Sequence, residues 1–470
     1  MQIYYDVVII GAGPSGMACA ASIAGYGLDV LVLDEQSAPG GQLYRQIEHQ
    51  PHETINILGK DYAQGLSLVQ EFRNSKVTYL PESTAWKISP ECRVCFSRNG
   101  ASYEVQGKRV VIATGAMERP VPFSGWTLPG VLTAGGADAL FKTSGVLPTG
   151  PVCMIGSGPL MLLVAQHLIR AGIHVEHMLD TTPQHALMKA LPQLPTALRR
   201  PFYLMKGAQM LYSTATAVKK KHTGITSYAI HGNGKVESIL TVKNGKQVTI
   251  PAKTVLVHEG IISRIEFSRQ LDLSHTWDCV QRYWHPTVDT FGRTSNPNIF
   301  MIGDGAYVHG GAAAALKGKL AAVELMQDIG TLTTQQIQDI APPLKTALHR
   351  ECSPRPFVDA LYRPRPSLYN VSDETLICRC EEVTAGSIRD AIKTKETTPE
   401  MVKAITRCGM GPCQGRMCTI ALNEIVAAET GQTIEMVTAP RVRPPVRNLS
   451  LGELAKMTLM PAQEKEERAE

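Results

Sequence analysis

The chain opens on an alternation of apolar runs and small-residue stretches that predicts a β–α–β unit. Tyr5–Ile10 reads as a buried strand, Gly11–Gly16 as a turn, Met17–Tyr26 as a small-residue helix and Leu28–Leu33 as a second strand. Residues 41–75 read as irregular to helical, and Lys76–Gln106 alternates as strands do. Arg109–Ile112 is a further apolar strand that ends in Ala113-Thr114-Gly115. The pattern restarts at Pro151, with strand Val152–Ile155, a Gly-rich turn Gly156–Met161, helix Leu162–Arg170 and strand Ile173–Leu179. Short β-rich segments are expected between Leu211 and Val257. A late strand, Asn298–Ile302, runs into Gly303-Asp304-Gly305 and the Ala-rich helix Ala312–Met326.

Two such starts about 145 residues apart predict two nucleotide-binding-like domains. Thr331–Asn370 is richer in proline and reads as a connecting arm. A compact helical cysteine domain is expected at about 374–432, and a basic, proline-containing tail after it, ending in Glu/Lys repeats. Composition alone predicts that tail to wrap the surface or stay disordered.

The 470 residues leave room for about three domains, and 44% hydrophobic with 19% charged residues is an ordinary globular balance. The net charge of +5 comes without a dense Lys/Arg stripe, so nucleic acid is not an expected partner. No apolar run approaches the length of a membrane span. The run Val7–Ile10 is short for a signal peptide and follows no basic region, which points to a reducing cytoplasm. Five of the eleven cysteines fall between Cys378 and Cys418. An even spread would put about one there, and in a reducing compartment such clustering suggests metal before disulfide.

The first turn, Gly11-Ala12-Gly13-Pro14-Ser15-Gly16, has the glycines a dinucleotide needs. Gly11 permits the tight turn, Gly13 lets a pyrophosphate approach the backbone, and Gly16 lets the helix pack close to the strand. The helix opening at Pro14 and Ser15 then presents free N–H groups to the phosphates. Asp34, twenty-three residues after Gly11, stands where a ribose hydroxyl would be bonded, with Glu35 as the adjacent candidate. With Gly40-Gly41-Gln42-Leu43, Ala113-Thr114-Gly115 and Gly303-Asp304-Gly305 in this order, residues 1–330 resemble the two-dinucleotide-binding-domain flavoproteins of the glutathione and thioredoxin reductase type. The resemblance implies an α/β fold and FAD over NAD in the first site. It places Gly41 and Gln42 beneath the flavin and Asp304 on the ribitol chain. It also implies a discontinuous FAD domain, 1–120 plus 256–330, around an inserted domain at 121–255. The remaining units are then an arm at 331–373, the cysteine domain at 374–432 and a tail at 433–470.

The second turn, Gly156-Ser157-Gly158-Pro159-Leu160-Met161, keeps two glycines and has Met161 in place of the third. That side chain is expected to push the helix off the strand or widen the turn. The position matching Asp34 is Leu179, with Asp180 one step later, and no arginine pair suited to a 2′-phosphate follows. NAD(P), another adenine nucleotide and a scaffold role all stay open here. The redox dithiol of disulfide reductases is missing from both of its usual places, after Gly41 and beside the second turn. Cys92 and Cys95 have C-x-x-C spacing but read as strand residues.

The cysteine block runs Cys378-Arg-Cys380 and then Cys408-Gly-Met-Gly-Pro-Cys413-Gln-Gly-Arg-Met-Cys418. Four converging thiolates hold a [2Fe–2S] cluster or a zinc. Five are present, so Cys378, Cys380, Cys408 and Cys413 form one possible quartet and Cys378, Cys380, Cys413 and Cys418 another. The region resembles the bacterioferritin-associated ferredoxin domain, a small helical [2Fe–2S] module in which C-x-C is followed about thirty residues on by a second pair and a helix. That resemblance favours the second quartet with Cys408 as a nearby free thiol. Cys413 is thirty-three positions after Cys380, and Cys418 runs into the apolar segment Ile420–Glu429. Zinc, the rival, cannot carry electrons.

Together, the flavin motifs, the degenerate second turn and the cysteine block resemble the large α subunits of hetero-oligomeric FAD amine and amino-acid dehydrogenases, the opine oxidase, hydrogen cyanide synthase and dye-linked proline and hydroxyproline dehydrogenase group. The resemblance implies an electron-relaying subunit. Its partner would be a D-amino-acid-oxidase-like flavoprotein β subunit that oxidises the C–N bond, with a small ferredoxin-like γ subunit in some members. It implies a cytoplasmic chain, with a peripheral position at the inner membrane as the alternative. No catalytic base is nominated. His309, beside Gly310-Gly311, is either a residue approaching the flavin or a polar residue at a helix start. The competing reading is a self-sufficient NAD(P)H-dependent flavin or ferredoxin reductase, carried by the Gly156–Gly158 turn.

Overall fold

The computed structural model describes residues 4–243 and 245–460; the Glu/Lys-rich end of the tail lies outside them. Its first sheet is built on parallel strands in the order Thr78–Leu80, Val30–Leu33, Tyr4–Ile10 and Ala101–Ile112, with Ile299–Met301 beside the last. Val8 faces Leu31 on one side and Val110 on the other. Val30–Leu33 is buried along its whole length, as a parallel sheet covered on both faces requires. The second half of this layer is an antiparallel meander, Thr84–Ile88, Arg93–Arg98 and Ala101–Ile112.

Helix Pro14–Ala24 has Pro14 in its first turn and a small-residue face. That face lies against helix Gly311–Asp328 so closely that a Cβ on Gly318 would overlap the carbonyl oxygen of Ser15. The late helix thus seals the first nucleotide turn from behind, although some three hundred residues separate them.

The second sheet is wholly parallel, in the order Lys220–His222, Val175–Asp180, Val152–Gly156, Thr254–His258 and Val131–Thr133. Helix Pro159–Arg170 covers one face, and a three-stranded meander, Ile225–His231, Ser238–Lys243 and Lys246–Pro251, supplies side chains to the core of the other. The expected β-rich stretch from Leu211 begins later than the sequence suggests, because Pro201–Ala217 is one helix. The Ser and Thr residues that read as strand bond back within it: the Thr216 hydroxyl donates to the Ser213 carbonyl at 3.0 Å.

The arm consists of helix Thr334–Cys352, entered through a capping box between Thr333 and Gln336, and helix Arg355–Leu361. Helices Ala385–Ala391, Pro399–Thr406 and Thr419–Thr430 then enclose a separate core that includes Ile388, Val402, Leu422 and Val426. The tail returns across the first sheet. Val446 is fully buried and its N–H donates to the Trp86 carbonyl at 2.9 Å, and Thr458–Leu459 pairs in parallel with Tyr103 and Glu104.

Candidate functional site

The first turn, the end of the strand Ala101–Ile112, the Gly40–Gly41 loop and Gly303–Asp304 meet around the N-terminus of helix Pro14–Ala24. Gly11 has φ +107°, and a Cβ there would stand 2.6 Å from the Ala113 carbonyl oxygen. Gly41 has φ +59°, and its Cβ would stand 2.8 Å from the Gly13 Cα. A Cβ on Gly16 would overlap the Gly11 carbonyl. Backbone therefore meets backbone throughout. The helix N-cap, Gly13, makes no side-chain cap hydrogen bond, so the first N–H groups are presented as a diphosphate needs them. The cradle fits the ADP half of FAD.

Asp34 is buried. It accepts the Ala12 N–H on one oxygen and the Gln36 N–H on the other, the latter at 2.7 Å. It therefore ties the second strand to the turn, and lone pairs remain on a carboxylate for a ribose hydroxyl. Burial pushes its carboxyl up to about 6, against the opposing pull of those two backbone bonds. Glu35 faces Arg264 at 3.5 Å and Arg447 of the tail at 3.6 Å. Arg416, from the cysteine block, joins this group 3.9 Å from Glu266. No motif announces these arginines; Arg441-Val-Arg443-Pro-Pro-Val-Arg447 is visible only as a basic tail.

Thr114 and Gly115 follow the strand end, and the Arg264 N–H donates to the Gly115 carbonyl at 3.1 Å. Asp304 accepts the N–H groups of His309 and Gly310 at 2.8 and 2.9 Å, both on Oδ1. Beneath it the buried Lys317 ammonium donates to the carbonyls of Gly303 and Tyr307 at 3.2 and 2.8 Å, and burial lowers it to about 8. His309 packs on the Tyr307 ring with centroids 4.7 Å apart. Its buried Nδ1 finds no hydrogen-bond partner among the described residues, and desolvation holds the ring neutral. Gln42 lies in the loop that Gly40 anchors through its N–H to the Ala12 carbonyl at 2.8 Å.

The second turn differs in kind. Gly158, its helix N-cap, has φ +102°, where Gly13 has −76°. Met161 is buried in the core of that domain, at the position where Gly16 meets the Gly11 carbonyl in the first turn. Cys92 and Cys95 reach different partners, the Asn298 carbonyl and Glu104, each at 3.6 Å. Burial raises both thiols, to about 11 and about 12, which suits packing and not redox exchange.

In the cysteine domain, the sulfurs of Cys378, Cys408 and Cys418 all lie within 4.8 Å of one another and all three residues are buried. Cys378 ends the strand Leu376–Cys378, Cys408 follows helix Pro399–Thr406, and Cys418 caps helix Thr419–Thr430. Thiols of Cys408 and Cys418 and the backbone N–H groups of Gly409 and Glu381 donate to Cys378 and hold it far below an ordinary thiol. Cys380 is more exposed and within hydrogen-bonding reach of Cys413. A Cβ on Gly411 would overlap that of Cys380, and one on Gly409 would come 3.7 Å from the Cys418 sulfur. Three elements thus bring the sulfurs of Cys378, Cys408 and Cys418 together, with the Cys380–Cys413 pair next to them, a donor set that suits a four-thiolate cluster.

This domain and the end of the arm are docked on both nucleotide-binding parts. The Trp126 indole donates to the Leu376 carbonyl at 2.8 Å, the buried Tyr369 hydroxyl to the Pro120 carbonyl at 3.2 Å, and Arg282 to Glu424 at 2.7 Å. A cavity of ≈ 90 Å³ lies between them, lined by Trp277, Trp284, Arg264, Arg416 and Ile420.

Comparison with known proteins agrees with both halves. The pyridine nucleotide-disulphide oxidoreductase family model matches residues 5–328, and the BFD-like [2Fe-2S] binding domain matches residues 376–428. The second match selects an iron–sulfur cluster over zinc. The opine oxidase A-type subunit of Rhizobium meliloti is 37% identical over 97% of this chain and 88% of its own. The hydrogen cyanide synthase protein HcnB of Pseudomonas protegens is 30% identical over 90% of this chain and 92% of its own. The crystal structure of L-proline dehydrogenase from P. horikoshii shares the fold, with a TM-score of 0.72 at 22% identity over 96% of this chain and 79% of that one.

Proposed function

We propose that this chain, which belongs to the pyridine nucleotide-disulphide oxidoreductase family and carries a BFD-like [2Fe-2S] binding domain, is the electron-relaying subunit of a hetero-oligomeric dehydrogenase or oxidase acting on the C–N bond of an amine, opine or amino acid. The observation that carries this reading is the thiol group Cys378, Cys408 and Cys418, in a domain joined to the flavin-binding part through Arg282–Glu424 and Arg416–Glu266, in a chain with no dithiol at either nucleotide turn. When bound, FAD supplies exchange between two-electron and one-electron chemistry, and the cluster carries single electrons.

The chain's own residues bind, orient and shield. The Gly11–Gly16 turn and Asp34 hold the adenosine diphosphate half, and Gly41, Gln42, Ala113, Thr114, Gly115, Gly303 and Asp304 line the rest of the cradle. Cys378, Cys380, Cys413 and Cys418 hold the cluster, with Cys408 beside them. No residue is assigned to substrate chemistry, which falls to a partner, a flavoprotein of the D-amino-acid-oxidase type. Similarity to the opine oxidase A-type subunit supports that substrate class. Met188, Phe202, Met205 and Tyr212 are exposed on the 186–217 segment, an apolar surface of the kind protein partners cover. No helix among the described residues is long and apolar enough to cross a membrane, and a cytoplasmic complex is the location we favour.

The test is co-expression with a candidate β subunit, followed by anaerobic purification. The complex should hold FAD and about two irons per copy of this chain, show a cluster EPR signal on reduction, and bleach with an amine or amino acid. A flavin-containing chain without iron or EPR signal would sink the relay. The alternative, a self-sufficient NAD(P)H-dependent reductase, is favoured by the Gly156–Gly158 turn and would show rapid flavin bleaching by NADH or NADPH without a partner.

A further inference from the structure

In the second sheet, Val175–Asp180 and Thr254–His258 flank Val152–Gly156 on either side, and the Gly156–Gly158 turn leaves the carboxyl end of that central strand. A dinucleotide bound to such a sheet crosses these strand ends, with its diphosphate over the turn. Here the crossing is already spanned by protein. Thr181 follows one flanking strand and Glu259 follows the other. The Thr181 hydroxyl donates to Glu259 Oε2 at 3.2 Å, and the Thr181 N–H donates to the Gly156 carbonyl at 3.0 Å. The Tyr228 hydroxyl donates to Glu259 Oε1 at 3.0 Å.

The arm closes this bridge. Arg365, four residues past helix Arg355–Leu361, donates Nη2 to Glu259 Oε1 at 2.8 Å and Nη1 to the Thr226 carbonyl at 2.7 Å. Its guanidinium sits 5.5 Å from the centre of the Tyr228 ring. Glu259 is only 5% exposed. The same arm covers the ribose-acid position: helix Arg355–Leu361 packs on Ala186–Ala190, and Leu361 walls the ≈ 360 Å³ cavity that holds Asp180, Thr182 and His185.

We infer that Glu259 and Arg365 determine the electron source of this protein: their buried pair, held by the arm, plugs the second nucleotide crevice and excludes NAD(P)H. A dinucleotide running from Gly156–Gly158 across the strand end at Glu259 would have to displace Arg365, and it would then face the buried Glu259 carboxylate without its counter-charge. The loss of the third glycine fits this state, since Met161 serves the domain core and the close helix–strand packing of a nucleotide turn is not kept there. The inference concerns the second crevice alone, and it stands or falls apart from the iron–sulfur reading.

The test uses the full-length, flavin-loaded chain in an NADH and NADPH fluorescence titration with stopped-flow flavin absorbance. Wild type should show no saturable binding up to about 1 mM nucleotide. The double variant Glu259→Gln/Arg365→Gln leaves no unpaired charge, and should bind NADH at least about tenfold tighter than wild type. Saturable NAD(P)H binding or flavin bleaching in wild type overturns the plug, as does a double variant of unchanged melting temperature and flavin content that binds no better. If the double variant does not fold, Arg365→Lys is read in the same titration. It keeps the charge and loses the two-pronged donation, so unchanged NADH binding in it overturns the proposal. Iron content and EPR of the same samples report on the relay separately.

Discussion

Asp34 accepts the backbone N–H of Ala12, so the acid that ends the second strand also fastens the glycine turn of the first. Its burial raises the carboxyl to about 6, above an unfolded value near 3.9. The folded, flavin-free chain therefore binds more protons than the unfolded chain between about pH 4 and 6. Its stability should fall as pH rises through that window. A ribose hydroxyl donating to the carboxylate favours the ionised form, so FAD affinity should move the other way and weaken as pH drops below about 6. Asp34→Asn should flatten both dependences and weaken FAD binding by roughly ten- to a hundredfold, the worth of a charged hydrogen bond. Thermal melts of the deflavinated chain across pH, beside FAD titrations, check this. A variant with wild-type affinity and an unchanged pH slope would remove Asp34 from the site.

Gly16 and Met161 occupy matching places in the two turns, and substitution should separate them. Gly16→Ala forces a methyl group into the Gly11 carbonyl. It should cost about 1–3 kcal/mol by overpacking and release FAD. Met161→Gly should leave flavin content unchanged and cost about 2–5 kcal/mol, because it empties a buried core position. Urea unfolding with flavin absorbance reads both, and equal flavin loss in the two variants would contradict the asymmetry.

These two turns also show what could be read from the sequence. Glycines forced by close backbone approach sit at fixed spacings, so Gly11, Gly13, Gly16 and the clustered cysteines were legible before any fold was known. Met161 was legible as a departure, and the turn before it does differ in backbone, with Gly158 at φ +102° where Gly13 has −76°. The residues that lock the parts together were not legible. Arg365 reaches Glu259 across 106 positions and Arg447 reaches Glu35 across a still longer interval. Single charged residues carry no period or spacing, and only the folded topology pairs them. The end of helix Pro201–Ala217, from Leu211, reads as β-rich for a local reason: Ser213 and Thr216 hydroxyls bond back to the helix's own carbonyls, which composition does not display.

The tail should behave as part of the flavin-binding fold. Val446 is fully buried against the meander, and Met460 is buried where the last strand pairs with Tyr103 and Glu104. Val446→Asp would place an unpaired carboxylate in that core and should destabilise the chain by at least about 2 kcal/mol. Val446→Ala should cost about 1–2 kcal/mol. Melting curves followed by flavin fluorescence test this. A mutant melting with wild type would mean that the tail detaches in solution.

The five thiols leave one decisive experiment on the cluster. Cys380 and Cys413 lie together toward the surface, and Cys378 lies deeper with both Cys408 and Cys418. A [2Fe–2S] cluster takes two thiolates per iron, so the outer pair serves one iron and Cys378 with one inner thiol serves the other. Cys418 is our choice for that inner ligand, because it is fixed at the start of helix Thr419–Thr430 with Gly409 against its sulfur. Cys408→Ala should then retain about two irons per chain with a shifted EPR spectrum, since a neighbouring thiol tunes the cluster without holding it. Cys378→Ala and Cys418→Ala should each lose the iron while keeping FAD. Iron analysis and EPR on anaerobically purified variants decide it: iron lost in Cys408→Ala and kept in Cys418→Ala would reverse the assignment and make Cys408 the ligand.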